Sequence, residues 1–124
     1  MTTARYLVRD VAEAIQFYTE TLGFEVRQRF GPAMASVVRG DQDLWLAGPA
    51  SSAGKALDSG AQPQPGGWNR IVLVVDDLAG LVERMSGAGI VFRGPIVSGP
   101  GGSQALCEDP SGNAIELFEP GKGG

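Results

Sequence analysis

Two segments of the chain share one pattern of apolar and polar positions. Residues 5–24 read RYLVRDVAEAIQFYTETLGF, and residues 72–90 read VLVVDDLAGLVERMSGAGI. In each segment an apolar run meets an aspartate, an amphipathic stretch follows, and a glycine precedes another apolar residue. Asp10 and Asp77 are 67 residues apart while Gly23 and Gly89 are 66 apart, so a single deletion aligns the segments. A repeat of this kind predicts two copies of one structural unit.

The first copy predicts the order βαβββ. Asp10 is expected to cap a helix, with Glu13 three residues later completing a capping box, and Gly23 is expected to end that helix. Helical spacing gives the helix one apolar face, made of Val11, Ile15, Tyr18 and Leu22. Strands are predicted before and after it, at Thr3–Arg9, Phe24–Phe30, Ala33–Arg39 and Asp43–Ala47.

The second copy predicts the same order. Asp77 is expected to cap a helix whose apolar positions are Leu78, Leu81, Val82 and Met85, and Gly89 to end it. The predicted strands are Arg70–Val75, Ile90–Arg93, Gln104–Glu108 and Ala114–Glu119. Residues 48–67, rich in Gly, Pro, Ser, Ala and Gln, lack periodicity and are typical of a linker or a functional loop. The final residues Gly121–Gly124 are expected to fray.

With 124 residues the chain is predicted to be one domain, with repeat units at about residues 3–48 and 67–120 and a linker at 49–66. The net charge of −4 and the lack of a basic cluster argue against a nucleic-acid partner. No stretch approaches the ~20 apolar residues of a membrane span, and no secretory signal is apparent. A cytoplasmic location is therefore expected.

The chain contains one cysteine and no histidine. Cys107 is expected to be a small buried strand residue, and a single cysteine excludes an internal disulfide or a cysteine-rich zinc site. The missing histidine removes the commonest general base and metal ligand together.

The repeat, the segment FYTETLGF and the closing DPSGNAIEL resemble the vicinal oxygen chelate superfamily, which includes glyoxalase I, extradiol dioxygenases and bleomycin-resistance proteins. The resemblance covers nearly the whole chain. It implies an α+β fold in which two βαβββ modules form a curved mixed sheet around a cup. It also implies a homodimer, in some members with cups built across the subunit interface.

The resemblance also indicates where a metal would bind. The family's first-strand ligand lies seven residues before the helix-capping aspartate, which gives Thr3 and Arg70, and its last-strand ligand corresponds to Trp45 and Glu116. Of these four only Glu116 is a good ligand for a divalent cation, because tryptophan offers no usable lone pair and arginine is a permanent cation. We therefore expect neither a metal nor another cofactor, and an ion pair between Arg70 and Glu116 in the vacated position.

Strand alternation from these positions predicts which side chains face the cup. Thr3, Arg5 and Leu7 are expected to face it while Ala4, Tyr6 and Val8 face the helix. Arg70, Val72 and Val74 are expected to face it from the second unit, with Trp45, Ala47, Glu116 and Phe118 from the closing strands. Phe30 and Phe92 could extend the aromatic walls, with their facing left open.

A small-molecule ligand is expected to meet Arg5, Trp45, Trp68, Arg70, Glu116 and Phe118. Trp45 is favoured as a pocket residue on which a flat aromatic ligand stacks. Trp68 is kept as a candidate, although a packing role is favoured for it. An arginine near the ligand could hold an anionic or carbonyl group.

Three functions remain open at this stage. The leading hypothesis is a metal-independent binding protein that sequesters an aromatic or natural-product ligand, as in the antibiotic-resistance branch of the superfamily. The alternative is a lyase, isomerase or dioxygenase-like enzyme with Glu116 as general base, which requires Arg70 to point elsewhere because a paired carboxylate is a weaker base. The third is a structural module whose cup is filled by Trp45 and Phe118.

Overall fold

The computed structural model describes residues 2–121, so that part of the predicted frayed tail, residues 122–124, lies outside the described residues. The chain divides into two compact units. Among the described residues, the first comprises residues 2–67 together with 110–113, and the second comprises residues 68–109 and 114–121. No helix among the described residues combines the length and apolarity needed to cross a membrane.

The first unit is a four-stranded sheet with one helix. Its elements follow one another as β1 (Thr2–Leu7), α1 (Val11–Glu20), β2 (Glu25–Phe30), β3 (Met34–Arg39) and β4 (Gln42–Ala47). The strand order is β1-β4-β3-β2, with β1 parallel to β4 and the other neighbours antiparallel. The segment predicted as a linker carries one short 3₁₀ turn, Ser52–Gly54.

The second unit repeats this topology. It contains β5 (Ile71–Val74), α2 (Leu78–Gly87), β6 (Val97–Gly99), β7 (Gly102–Glu108) and β8 (Ala114–Pro120). The strand order is β5-β8-β7-β6, with β5 parallel to β8. The predicted α+β fold of two βαβββ units is therefore confirmed, with most strand ends within two residues of the predicted positions.

One predicted strand is wrong. Residues 90–93 form no strand but a single bridge between Phe92 and Cys107, and the first strand after α2 is instead the three-residue β6. The Arg93 N–H donates to the Leu106 carbonyl at 2.8 Å, so residues 91–93 still follow β7 briefly before Gly94 and Pro95 break the pairing. A proline has no N–H to continue such a ladder.

The predicted aspartate caps are confirmed in both units. The Asp10 carboxylate accepts a hydrogen bond from the Glu13 N–H at 2.9 Å, and that of Asp77 accepts from the Gly80 N–H at 3.1 Å. The capping box is incomplete because the Glu13 carboxylate instead accepts from the Arg9 guanidinium, at 2.7 and 3.0 Å. That ion pair holds the pKa of Glu13 below its usual value, chiefly through the hydrogen bond from Arg9.

Each helix packs on one face of its own sheet. In α1 the buried residues are Val11, Ala14, Phe17 and Tyr18, so the predicted face shifts from Ile15 to Ala14 and Phe17. The ring of Tyr18, fully buried, meets Phe17 and Phe24 edge to face, with centroids 5.2 and 5.5 Å apart. In the second unit Leu78 and Met85 of α2 are buried, as are Leu73, Ala105, Cys107, Ile115 and Leu117 of the sheet. Cys107 is thus the buried strand residue that was predicted.

Candidate functional site

The face of the first sheet opposite α1 carries polar and aromatic side chains. Arg5 of β1 is paired with Trp45 of β4, and Ser36 of β3 lies on the other side of Trp45. Because directly paired residues point to the same side of a sheet, these three form one row across it. The buried neighbours Leu44 and Leu46 point to the helix side, which fixes the direction of Trp45.

Trp45 is held from two directions. Its ring Nε1–H donates to the Asp43 Oδ2 at 3.2 Å, and the Arg5 guanidinium carbon lies 5.1 Å from its ring centroid. Such a cation–π contact stabilises the arrangement by roughly 0.5–1 kcal/mol at an exposed site. The indole is therefore fixed in position by the protein itself.

Asp43, which the sequence analysis overlooked, is the centre of this network. Only 4% of it is exposed, and its Oδ1 accepts from the Ser36 hydroxyl at 2.6 Å. Its Oδ2 accepts from the Arg27 Nη1 at 3.2 Å and from the Thr3 hydroxyl at 3.4 Å, in addition to Trp45. A buried carboxylate is tolerated when it is paired and hydrogen-bonded in this way. The sequence did carry a signal for Asp43. It precedes Trp45 by two residues on β4, and residues two apart on a strand point to the same face of the sheet.

A cavity of about 300 Å³ adjoins Trp45. Its walls are Arg27, Gln28, Phe30, Met34, Ser36 and Trp45. These other residues lie on β2 and β3, whereas Arg5 lies on β1, so β4 separates the cavity from Arg5. Trp45 thus stands between the guanidinium and the cavity. Phe30, whose facing was left open, belongs to this wall, whereas Phe92 is paired with Cys107, a residue of the helix side.

The second unit contains the predicted ion pair. The Arg70 Nη2 and Nε both donate to the Glu116 Oε1, at 3.0 and 3.2 Å, and the Arg70 Nη1 donates to the Trp68 carbonyl at 3.2 Å. The side chains of Arg70 and Glu116 are 31% and 12% exposed. Glu116 is paired with Val72 across β5 and β8, and Phe118 follows it on the same face.

Trp68 is not the packing residue that was favoured. It is 67% exposed, and the Arg93 guanidinium carbon lies 4.6 Å from its ring centroid. Arg93 also donates from Nε to the Glu108 Oε2 at 2.8 Å. Arg93 had been assigned only to a strand end, because nothing in the local pattern distinguishes an arginine that folds back onto an aromatic ring.

The model of the Glyoxalase/Bleomycin resistance protein/Dioxygenase superfamily matches residues 2–117. The chain belongs to this superfamily. No curated protein matches the chain significantly.

Solved structures of superfamily proteins share its fold. A member from Sphaerobacter thermophilus DSM 20745 is 26% identical with a TM-score of 0.75, and the match covers 96% of this chain and 95% of that one. TnmS3, an antibiotic binding protein from Streptomyces sp. CB03234, is 26% identical with a TM-score of 0.66, covering 98% and 97%. Lactoylglutathione lyase from Agrobacterium tumefaciens, 22% identical with a TM-score of 0.72 over 96% and 92%, shows the fold alone.

The residues that the sequence resemblance assigns to the superfamily's metal positions, Thr3, Trp45, Arg70 and Glu116, do not fit a metal ion. Glu116 has its Oε1 bound to Arg70, and the other positions supply a hydroxyl, an indole and a guanidinium. Among residues 2–121 no group of three or more His, Cys, Asp or Glu residues is arranged to hold an ion. The chemistry of this donor set therefore gives no basis for a reaction step through a metal.

Proposed function

We propose that this superfamily member is a metal-independent binding protein that sequesters an aromatic or natural-product ligand by stacking it against Trp45. The observation that carries the proposal is the pre-positioned indole at the wall of a cavity of about 300 Å³. Ligand sites in proteins are typically concave and mostly apolar, with a few fixed polar groups. This cavity has that character, with Phe30 and Met34 beside Arg27, Gln28 and Ser36.

The geometry favours a planar ring. Arg5 covers Trp45 from the side of β1, so that a ring entering the cavity meets the indole from the side of β3 and completes a layered stack. Offset or edge-on contact between aromatic rings contributes about 0.5–1.5 kcal/mol beyond the area buried. The cavity volume is at the lower end of the usual range, so it accommodates one ring system of a larger ligand. The similarity to TnmS3, described as an antibiotic binding protein, supports a ligand of the natural-product class.

The enzymatic alternative is less well supported. It requires Glu116 as general base with Arg70 directed elsewhere, yet two nitrogens of Arg70 donate to the Glu116 Oε1. The cavity argues against the third hypothesis, a structural module without a ligand, because Trp45 leaves the space beside it unfilled. The exchange Glu116→Gln separates enzyme from binder, since only an enzyme would lose turnover while still binding its substrate.

Tryptophan fluorescence tests the proposal directly, because Trp45 and Trp68 are the two tryptophans of the chain. In a Trp68→Phe background, all indole emission comes from Trp45. Titration with the fused-ring compounds naphthalene, quinoline and acridine should quench or shift this emission, with calorimetry as an independent measure of binding. Trp45→Ala should remove calorimetric binding while the far-ultraviolet circular dichroism stays unchanged. Binding that survives in Trp45→Ala would refute the stacking role.

Native mass spectrometry with added Mn²⁺, Ni²⁺ or Zn²⁺ tests the rest of the proposal. The expected species is a homodimer that carries no stoichiometric ion. One tightly bound ion per chain would overturn the proposed metal independence. A monomer at micromolar concentration would show that the expected homodimer does not form.

A further inference from the structure

A cavity in the second unit has a wall chemistry different from that of the Trp45 cavity. Its volume is about 220 Å³, and it is lined by Arg70, Arg93, Gly94, Pro95, Val97, Gln104, Ala105, Leu106 and Glu116. The wall combines two guanidinium groups with the apolar side chains of Pro95, Val97 and Leu106. With two arginines and one carboxylate, its formal charge is +1.

Arg70 is paired with Glu116 within the wall, and contacts outside the wall also orient the two arginines. The Trp68 carbonyl accepts from the Arg70 Nη1, and the Trp68 ring lies against the Arg93 guanidinium. Glu108, which pairs with Arg93 at 2.8 Å, is not part of the wall. Side chains held in this way lose little further conformational entropy when a ligand binds.

Arg70 retains donors for a ligand. A guanidinium has five N–H groups, and the contacts within residues 2–121 use three of those of Arg70: one each on Nε, Nη1 and Nη2. One N–H on Nη1 and one on Nη2 therefore remain. Donors on a guanidinium are suited to the oxygens of a carboxylate.

We propose that this cavity binds a small organic carboxylate, whose anionic group lies between Arg70 and Arg93 and whose hydrocarbon part packs on Pro95, Val97 and Leu106. This second site goes beyond the proposed function, since it shares no lining residue with the Trp45 cavity. The apolar wall favours a carboxylate with a hydrocarbon group over an inorganic anion, which would gain nothing from it.

Calorimetric titration with cyclohexanecarboxylate tests this site. The matched neutral probe is cyclohexanecarboxamide, which keeps the ring and loses the charge, and inorganic phosphate keeps the charge and loses the ring. We expect cyclohexanecarboxylate to bind at least tenfold more tightly than either probe. Equal binding of the carboxamide would overturn the role of the arginines, and equal binding of phosphate would overturn the assigned ligand class.

Arginine variants localise the binding. Arg70→Gln should weaken the binding of cyclohexanecarboxylate at least tenfold. Arg93→Lys keeps the charge beside Glu108 but removes the planar fork, and it should weaken this binding at least threefold. Arg84→Gln, on an exposed position of α2, is the control for the loss of one positive charge and should bind as the wild type does. An equal effect of Arg84→Gln and Arg70→Gln would show that only net charge matters and would refute the site.

The outcomes of the two proposals are distinguishable because their probes differ. Quinoline reports on Trp45, and cyclohexanecarboxylate, which has no aromatic ring, reports on the arginine cavity. Thermal unfolding of each variant confirms that it is folded at the titration temperature. If Arg93→Lys unfolds, Arg70→Gln alone decides, since Arg70 is the more exposed of the two arginines, at 31% against 14%.

Discussion

The indole Nε1–H of Trp45 donates a hydrogen bond to the Oδ2 of Asp43, a carboxylate two residues earlier on the same strand and almost fully buried. The Asp43 side chain also accepts from Arg27, Ser36 and Thr3. One buried carboxylate therefore positions the indole at the wall of the proposed aromatic site. It does so through an acceptor that no apolar side chain can replace.

Asp43→Ala is expected to reduce the free energy of unfolding by about 2 kcal/mol, because it leaves the buried Ser36 hydroxyl and the indole N–H without their acceptor. In a Trp68→Phe background, the Trp45 emission of this variant should shift to longer wavelength as the ring gains freedom. Asp43→Asn should reduce the free energy of unfolding by less, since its amide oxygen can replace Oδ2 while its NH₂ faces the Ser36 oxygen. Urea unfolding followed by circular dichroism measures both, and Asp41→Ala, at an exposed turn, is the control.

The contribution of the Arg70–Glu116 ion pair is measurable by a double-mutant cycle. With Arg70→Gln, Glu116→Gln and the double variant, we expect a coupling energy of roughly 1 kcal/mol, since the pair is partly shielded from water. The exposed pair Arg9–Glu13, four residues apart on the chain, should give only about 0.3–0.5 kcal/mol. Equal coupling energies for the two pairs would show that the position of Glu116 confers no special strength.

Most of the fold was predictable because it follows from local rules. The aspartate caps, the helical spacing and the repeat fix the order of elements. The Arg70–Glu116 contact was predictable for a different reason, since the superfamily resemblance places both residues on adjacent strands and their charges are opposite. The strand at residues 90–93 failed because apolar β-branched residues there favour a strand while Gly94 and Pro95 stop the pairing after one bridge.

The missed parts of the site are contacts between residues distant in sequence. Arg27 of β2 reaches Asp43 of β4 across the intervening strand β3, and Arg93 folds onto Trp68, which lies 25 residues earlier in the chain. A packing role was favoured for Trp68 because a tryptophan is most often a packing residue, yet Trp68 is exposed and the Arg93 guanidinium lies over its ring. Such pairings depend on tertiary geometry, which the spacing of residue types along the chain does not encode.

Helix α2 has two acceptors at its start. The Asp77 carboxylate accepts from the Gly80 N–H, and the Glu119 Oε1 of β8 accepts from the Leu78 N–H at 2.9 Å. Asp77→Ala should reduce the free energy of unfolding by about 1 kcal/mol through loss of the cap. Asp76→Ala, which removes the neighbouring exposed carboxylate, should have almost no effect. The urea midpoint measures both, and equal losses would mean that general charge at the helix start, rather than the cap, is responsible.

Burial of Cys107 predicts how stability depends on pH. Desolvation raises the pKa of the thiol from 9.0 to about 12 in the folded protein. Well below pH 9 the thiol is protonated in both the folded and the unfolded chain, so the full stability is present. Between pH 9 and 12 the unfolded chain loses this proton while the folded protein keeps it. The free energy of unfolding should therefore fall by up to about 1.4 kcal/mol for each pH unit in this range.

Urea unfolding at pH 8 and at pH 10 checks this expectation, with Cys107→Ala as the matched variant. Other groups also titrate at alkaline pH, so the informative quantity is the difference between the two proteins. The wild type should lose about 1 kcal/mol more than Cys107→Ala over this interval, since the variant has no thiol to ionise when it unfolds. An identical loss in both proteins would mean that the thiol ionises equally well in the folded state and that Cys107 is accessible to water.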